Sequence, residues 1–369
     1  MSASARGPRA NRRWIVLAMA LTAACGTSPA SGTTTVHTPG PTPQPVPRAP
    51  APSSGEIVFG GTLDDPANFE IYRINADGSG LLNLTNNPAR DMLPAWSPDG
   101  SRIAFTSDRA GRTEIYVMDS DGSGVLRLTD DDLDKGTQRW SPYLAWSPDG
   151  QWIAFAAVVD GAPDIFIVRP DGTGLTNLTA HPSIDSLFYW SPDARRLLFG
   201  SERDGNPELY LMNADGSEVT RLTHDAAVDV PAGWSPDGGR ILFTSNRDGN
   251  GEVYVMQADG SGQTNLTNQP SSDAGPVYSP DGARIAFRSD RDGRWQLYMM
   301  NADGSGQENA SNGEADDYWY WWSPDGTWVY VASAIGEDPQ TLSWSAAIIR
   351  VDGSGRTSFA FGSSLNWRP

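Results

Sequence analysis

The fold predicted by this sequence is an all-β, seven-bladed β-propeller closed by its own C-terminal strand. Three observations predict it. The pentapeptide Trp-Ser-Pro-Asp-Gly at residues 96–100 returns at 146–150, 190–194, 234–238, 278–282 and 322–326, with Ala194 and Tyr278 as its two substitutions. Its aspartates, Asp99, Asp149, Asp193, Asp237, Asp281 and Asp325, lie 50, 44, 44, 44 and 44 residues apart. A second signature, Asp-Gly-Ser-Gly, keeps the same beat at Asp77, Asp121, Asp171, Asp215, Asp259, Asp303 and Asp352, with Thr173 and Glu218 as variants. A fixed period of about 40–45 residues marks one four-stranded propeller blade per repeat. Finally, the two ends complete one another. The first repeat has no Trp-Ser-Pro-Asp-Gly ahead of it, and the chain ends Leu365-Asn366-Trp367-Arg368-Pro369, where the next Trp-x-Pro falls due. The missing innermost strand of the first blade is therefore expected from the C-terminus. It brings the blade count to seven and removes an exposed sheet edge.

Residues 1–24 stand apart from the repeats. Arg6, Arg9, Arg12 and Arg13 precede a short apolar run at residues 14–24 with no acid among them. A basic leader, a short apolar stretch and small residues at Ala23 and Ala24 read as an export signal, and the run is too short to span a bilayer. Cys25, the single cysteine of the chain, follows at once. Residues 22–25 resemble a bacterial lipobox, which implies lipidation at Cys25, although Thr22 stands where an aliphatic residue is expected. Residues 26–54 are Pro, Thr, Ser, Ala and Gly with almost no charge. Such a segment cannot offset its ordering entropy and is expected to be an extended tether. The propeller is expected to occupy residues 55–369. The plan is that of a membrane-anchored envelope lipoprotein facing away from the cytoplasm.

The chain carries a formal charge of −18, and residues 1–24 hold four arginines and no acid, which leaves the remainder at −22. That balance disfavours nucleic acid and anionic lipid surfaces as partners and favours solubility, divalent cations or basic partners.

Within a blade the second repeat serves as template. Residues 92–96 read as a short apolar strand. Ser97-Pro98-Asp99-Gly100 is a turn, with proline presetting φ and glycine supplying the positive-φ position. Residues 102–107 alternate as a half-buried strand should, residues 108–113 are a polar loop, and residues 114–118 form a third strand. The Asp121-Gly122 hairpin leads to a fourth at 125–128. Val, Ile, Phe and Tyr dominate these strands, as sheet packing requires.

The Trp-Ser-Pro-Asp-Gly, Ile-Ala-Phe, Glu-Ile-Tyr-Val-Met and Ala-Asp-Gly-Ser-Gly beats resemble the TolB-type, WD-like propeller repeats of bacterial envelope proteins over residues 55–369. The resemblance implies the propeller and an envelope location. Tol-system members of that family have a small α/β domain before a six-bladed propeller and bind a peptidoglycan-associated lipoprotein at the channel mouth. Here a Pro-rich segment stands in the place of that domain and seven blades are expected, so a true Tol-system component is not implied. Similar repeats also precede peptidase domains of the prolyl oligopeptidase family, and no such domain is expected here.

Features present in every blade are expected to be scaffold. One repeated feature has two readings. Asp91, Asp185, Asp229, Asp273 and Asp317 each precede the first-strand aromatic by five residues, with Ser141 in the third blade and Gly362 in the closing strand. Each carboxylate caps the start of its own strand, or together they ring one channel mouth as an acidic funnel for Ca²⁺ or a basic side chain. Departures from the repeat are the other candidates. The loop before Trp146 is six residues longer than its counterparts and holds Asp130, Asp131, Asp132, Asp134, Lys135, Arg139 and Trp140. A second long loop surrounds residues 335–344. Both are expected on the face of the aspartates, beside Phe188, Tyr189 and Tyr318, Trp319, Tyr320 and Trp321. The expected ligand face is thus Asp91, Arg139, Trp140, Asp185, Asp229, Asp273, Asp317 and Trp321. It is read as binding an envelope protein or cell-wall glycan without catalysis and without a required cofactor, in a chain expected to be a monomer. The alternative is a polysaccharide lyase or hydrolase with a divalent cation in the acidic channel. His181 and His224 occupy loops in successive blades, and two histidines without a third ligand do not make a zinc site.

Overall fold

The computed structural model describes residues 55–65, 67–130, 133, 144–335, 343–352, 355–359 and 365–368. The expected export signal, Cys25 and the tether fall outside the described residues, as do Arg139 and Trp140. The described chain contains no helix and forms seven antiparallel sheets of four strands, the blades of a propeller. In blade 2 the strands are Asp91–Trp96, Arg102–Ser107, Glu114–Asp119 and Leu126–Arg127, the last and outermost only two residues long. Innermost strands of several neighbouring blades touch one another, as Asp91–Trp96 does with Leu144–Trp146 and Asp229–Trp234 with Asp273–Tyr278.

Blade 1 closes the ring as its sequence requires. Glu56–Gly61, Glu70–Asn75 and Leu82–Asn83 are completed by Leu365–Trp367, which pairs Ile57 with Trp367, Val58 with Asn366 and Phe59 with Leu365. Two side chains at the closure reach into blade 2. The Trp96 backbone N–H donates to Asn366 Oδ1 at 3.1 Å. Arg368 lies over the Trp96 ring with its guanidinium carbon 5.2 Å from the ring centroid, and pairs with Glu56.

The repeated turns have a chemical reason. Ser97 Oγ donates to Asp99 Oδ1 at 2.6 Å and accepts the Arg102 N–H at 2.9 Å, while Asp99 also accepts the Ser101 N–H at 3.0 Å. These bonds, led by that from Ser97, hold the Asp99 carboxyl well down, to about 2. In the hairpins Asp121 accepts both the N–H and the hydroxyl of Ser123, at 2.9 and 2.6 Å. Gly100 turns the corner at φ 66°, where an L side chain is strained. Two copies make the same turns without glycine: Ala194 sits at φ 59° and Glu218 at φ 56°.

The core is not one central mass. It is divided into seven wedges, one at each blade interface. Between blades 2 and 3, for example, Ala104, Ile115 and Val117 meet Trp146, Ile153 and Phe155. Between blades 7 and 1, Trp328, Tyr330 and Ile348 meet Ile57, Phe59 and Tyr72. Within each of blades 1 to 6 an aromatic on the second strand lies beside one on the third, as Phe105 and Tyr116 do at 5.7 Å. The repeated tryptophan fastens one blade to the next. The indole N–H of Trp146 donates to the Ala95 carbonyl at 3.0 Å, Trp190 to Ala145 at 3.4 Å, Trp234 to Tyr189 at 3.2 Å and Trp322 to Val277 at 3.3 Å. Two copies break the series: among the described residues the Trp96 indole N–H and the Tyr278 hydroxyl are buried without a hydrogen-bond partner.

Trp234→Phe leaves the Tyr189 carbonyl unpaired at a blade interface and is expected to cost about 1–3 kcal/mol of unfolding free energy, whereas Tyr278→Phe removes a hydroxyl that bonds nothing and is expected to be near neutral. Equal losses in urea melts would show that the indole N–H is not the fastener. Ala194→Gly relieves a left-handed residue and is expected to gain a net ~0.5–1 kcal/mol after the added chain entropy of glycine. A lowered melting temperature would contradict the strain assigned to that turn.

Candidate functional site

The five aspartates stand at the start of the innermost strands of their blades, and their carboxylates do not face solvent. Asp91, Asp185 and Asp273 are 0% exposed, and Asp229 and Asp317 1%. Four are held by an arginine from the loop between the second and third strands of their own blade. Arg109 reaches Asp91 at 3.0 Å, Arg203 reaches Asp185 at 3.0 Å, Arg247 reaches Asp229 at 2.8 Å and Arg291 reaches Asp273 at 3.2 Å. Each arginine also donates through Nε to a strand-end serine, as Arg203 does to Ser201 at 2.9 Å. Each lies over its blade's aromatic pair, with the Arg203 guanidinium carbon 4.9 Å from the Tyr210 ring centroid and 5.3 Å from that of Phe199. Asp317 is tied instead by the Ser333 hydroxyl at 2.6 Å and the Leu297 N–H at 2.8 Å. Burial pushes the carboxyls of Asp185, Asp229 and Asp273 up, against the pull of the serine and the arginine.

An open acidic funnel is therefore not what these five residues build; each side chain is an internal tie between strand start and loop. Ser141 and Gly362 lie outside the described residues. The arginines are the part that sequence reading passed over. The available signal was an arginine 18 residues after each of four aspartates, always two after a serine: Ser107 to Arg109, Ser201 to Arg203, Ser245 to Arg247 and Ser289 to Arg291.

A second set of carboxylates is consumed in the same way. Thr129 donates to buried Glu114, Thr179 to Asp164 at 3.1 Å, and Thr223 and Thr267 to Glu208 and Glu252. This explains the repeated Leu-Thr at the fourth strand. His181 Nδ1 accepts the Ser183 N–H at 3.2 Å, and His224 is exposed. Among the described residues no cluster of three or more His, Cys, Asp or Glu is placed to hold a metal ion.

What the innermost strands leave half-exposed is mostly apolar and aromatic: Met92, Leu93, Leu187, Tyr189, Tyr318 and Trp319, with Val277 36% exposed. The strand start is bulged in blades 2, 4, 5, 6 and 7, and Leu93 and Leu187 take φ of 56° and 51° there. Bulges of this kind re-aim side chains next to binding sites. The inner strand of blade 7, Asp316–Trp322, divides its aromatics. Tyr320 and Trp322 pack toward blade 6, while Trp319 and Trp321 pack toward blade 1. Trp321, an expected ligand-face residue, stands 5.8 Å from the Tyr330 ring and belongs largely to that wedge.

Arg203→Ala strands the fully buried Asp185 and is expected to cost about 3–5 kcal/mol. Asp185→Asn keeps an amide oxygen that accepts from the Arg203 guanidinium, whose side chain is 16% exposed, and is expected to cost less. Chemical denaturation of the two variants checks the order; the reverse order would mean that the aspartate is not held by this arginine.

Comparison with known proteins places the fold. The model of the TolB beta propeller domain matches residues 44–144, 141–232 and 226–343. Dipeptidyl-peptidase 5 of Porphyromonas gingivalis is 36% identical over 55 residues, which is 15% of this chain and 8% of that protein. Among solved structures, TolB from Acinetobacter baumannii superposes with a TM-score of 0.53 at 19% identity, covering 85% of this chain and 67% of that one. Oligogalacturonate lyase in complex with manganese gives a TM-score of 0.60 at 13% identity, over 82% and 85% of the two chains. The S511A mutant of puromycin hydrolase gives 0.65 at 15% identity, over 86% of this chain and 55% of that one. At these identities the likenesses carry the fold alone, and they include both enzymes and TolB. With the family match spanning most of its length, the chain belongs to the TolB beta propeller domain family.

Proposed function

We propose that this protein is a non-catalytic, envelope-tethered propeller that binds a protein or cell-wall ligand at the channel mouth. The single observation that carries this reading is the character of that mouth. Its repeated carboxylates are internal ties, and its half-exposed side chains are the apolar and aromatic residues Met92, Leu93, Leu187, Tyr318 and Trp319. Aromatic and aliphatic anchors with an arginine nearby are the composition of binding hot spots. The tether belongs to the same proposal: lipid on Cys25, then residues 26–54 as a spacer, would display the disc away from the membrane.

The test is capture from detergent-solubilised membranes with the full-length protein. Tyr318→Ala and Met92→Asp are expected to reduce capture of the same partner at least tenfold, while Gln151→Arg, on a turn of the opposite face, leaves it intact. Capture unaffected by the first pair moves the contact elsewhere. Turnover of an envelope polysaccharide that depends on Ca²⁺ or Mn²⁺ would replace the proposal with the lyase or hydrolase alternative.

A further inference from the structure

Repetition makes departures legible, and three of them meet at one interface. The second-strand position two residues before each strand-end turn holds Gly60, Thr106, Ala156, Gly200, Thr244 and Ala332, and in blade 6 alone Arg288. The position faces the next blade close to its inner strand. A Cβ built on Gly200 meets the Pro231 ring at 3.3 Å, and Thr244 Oγ1 accepts the Gly275 N–H at 3.2 Å. In the inner-strand register Arg288 lies opposite Ala274, so its side chain enters the wedge between blades 6 and 7 at the channel mouth. Trp295 stands where other blades have Phe69, Thr113, Pro163, Pro207 and Gly251, and Tyr318 where they have Met92, Ser186, Val230 and Ala274.

Arg288 and Trp295 are in contact, and Tyr318, at the strand start of blade 7, lies within reach of the Arg288 charge. The Arg288 guanidinium carbon lies 5.2 Å from the Trp295 ring centroid. The Trp295 backbone is held at both ends: its amide N–H donates to Asp316 Oδ1 at 3.0 Å and its carbonyl accepts the Asp317 N–H at 2.7 Å. The Tyr320 hydroxyl closes the wedge below by donating to the Ala274 and Gly275 carbonyls. Among the described residues Arg288 makes no hydrogen bond and no ion pair through its side chain, in contrast to the four loop arginines that each hold an aspartate. A half-buried guanidinium stacked on an indole keeps its in-plane N–H donors for a ligand, and two parallel N–H groups match a carboxylate.

We infer that Arg288, Trp295 and Tyr318 form a carboxylate-binding subsite, built to take a peptide carboxylate of the bound partner with an apolar or aromatic neighbour against Tyr318. The inference rests on the reading of this face as a peptide- or protein-binding mouth. It also accounts for how a strongly acidic protein accepts a carboxylate: one desolvated guanidinium recognises it at short range, where the net charge of the surface is screened.

The probe is N-acetyl-phenylalanine, titrated into the full-length protein by ligand-observed NMR, with N-acetyl-phenylalaninamide and digalacturonate in parallel. Saturable binding of the acid is expected, with at least tenfold weaker binding of the amide. Arg288→Gln is expected to abolish the difference between acid and amide, and Arg288→Lys to retain part of it. Should Arg288→Gln melt early, the Lys variant and Trp295→Phe carry the test. Equal binding of acid and amide, or binding unchanged in Arg288→Gln, overturns the subsite. Digalacturonate binding in preference to the peptide acid overturns the peptide assignment in favour of an acidic sugar. Partner capture from membranes that survives in Arg288→Gln removes the subsite while leaving the proposed function standing; absence of capture by the unaltered protein removes the proposed function itself.

Discussion

A buried indole N–H passed from one blade to the carbonyl of the blade before it is the constraint on which this ring depends. Sheet hydrogen bonds stop at the edges of each blade, and most of the contact between blades is apolar, which is strong but without direction, with scattered polar contacts such as that of Thr244 with the Gly275 N–H. The tryptophan supplies both. Its ring fills the wedge, and its N–H fixes how far one blade is rotated against the next. Made by Trp146, Trp190, Trp234 and Trp322, that one contact helps to turn a series of four-stranded sheets, each too small to be stable alone, into a closed body. The last joint is made differently: the C-terminal strand pairs into blade 1, Asn366 holds the Trp96 backbone and Arg368 covers the Trp96 ring.

The acidic character of the chain is spent largely on its own backbone. Turn aspartates accept amides and serine hydroxyls, third-strand carboxylates accept the Leu-Thr hydroxyls, and strand-start aspartates are locked by arginines lying on aromatic pairs. The last of these sets locks the loop between the second and third strands to the innermost strand, and so makes a stiff rim around the channel mouth. A rim of this kind preorganises whatever binds there.

Against so regular a frame, irregularity carries the information. Blade 6 and blade 7 meet through Arg288, Trp295 and Tyr318 where their counterparts, Phe69 apart, are small, aliphatic or Met residues. An arginine inserted into a wedge, with neither hydrogen bond nor ion pair to its side chain among the described residues, contributes little to holding blades together. Its chemistry is directed outward. The likeness to both TolB and several hydrolytic or lyase enzymes fits a frame that holds constant while its mouth varies.

The fold was legible in the sequence because a repeat states its own period. Six Trp-Ser-Pro-Asp-Gly copies, seven Asp-Gly hairpins and an unpaired tail were enough for the blade count and the closure, since turn chemistry and strand alternation are local properties. The turn role of Asp99 was equally local. What the sequence could not decide was the direction of a side chain relative to neighbouring blades. Asp185 reads alike whether it faces a channel or an arginine 18 residues further on, and Trp321 alike whether it faces a ligand or Tyr330. Nor do positions 288, 295 and 318 suggest one another along the chain. They become a site only when blades 6 and 7 are packed, because a wedge between two sheets brings together residues that no local rule connects.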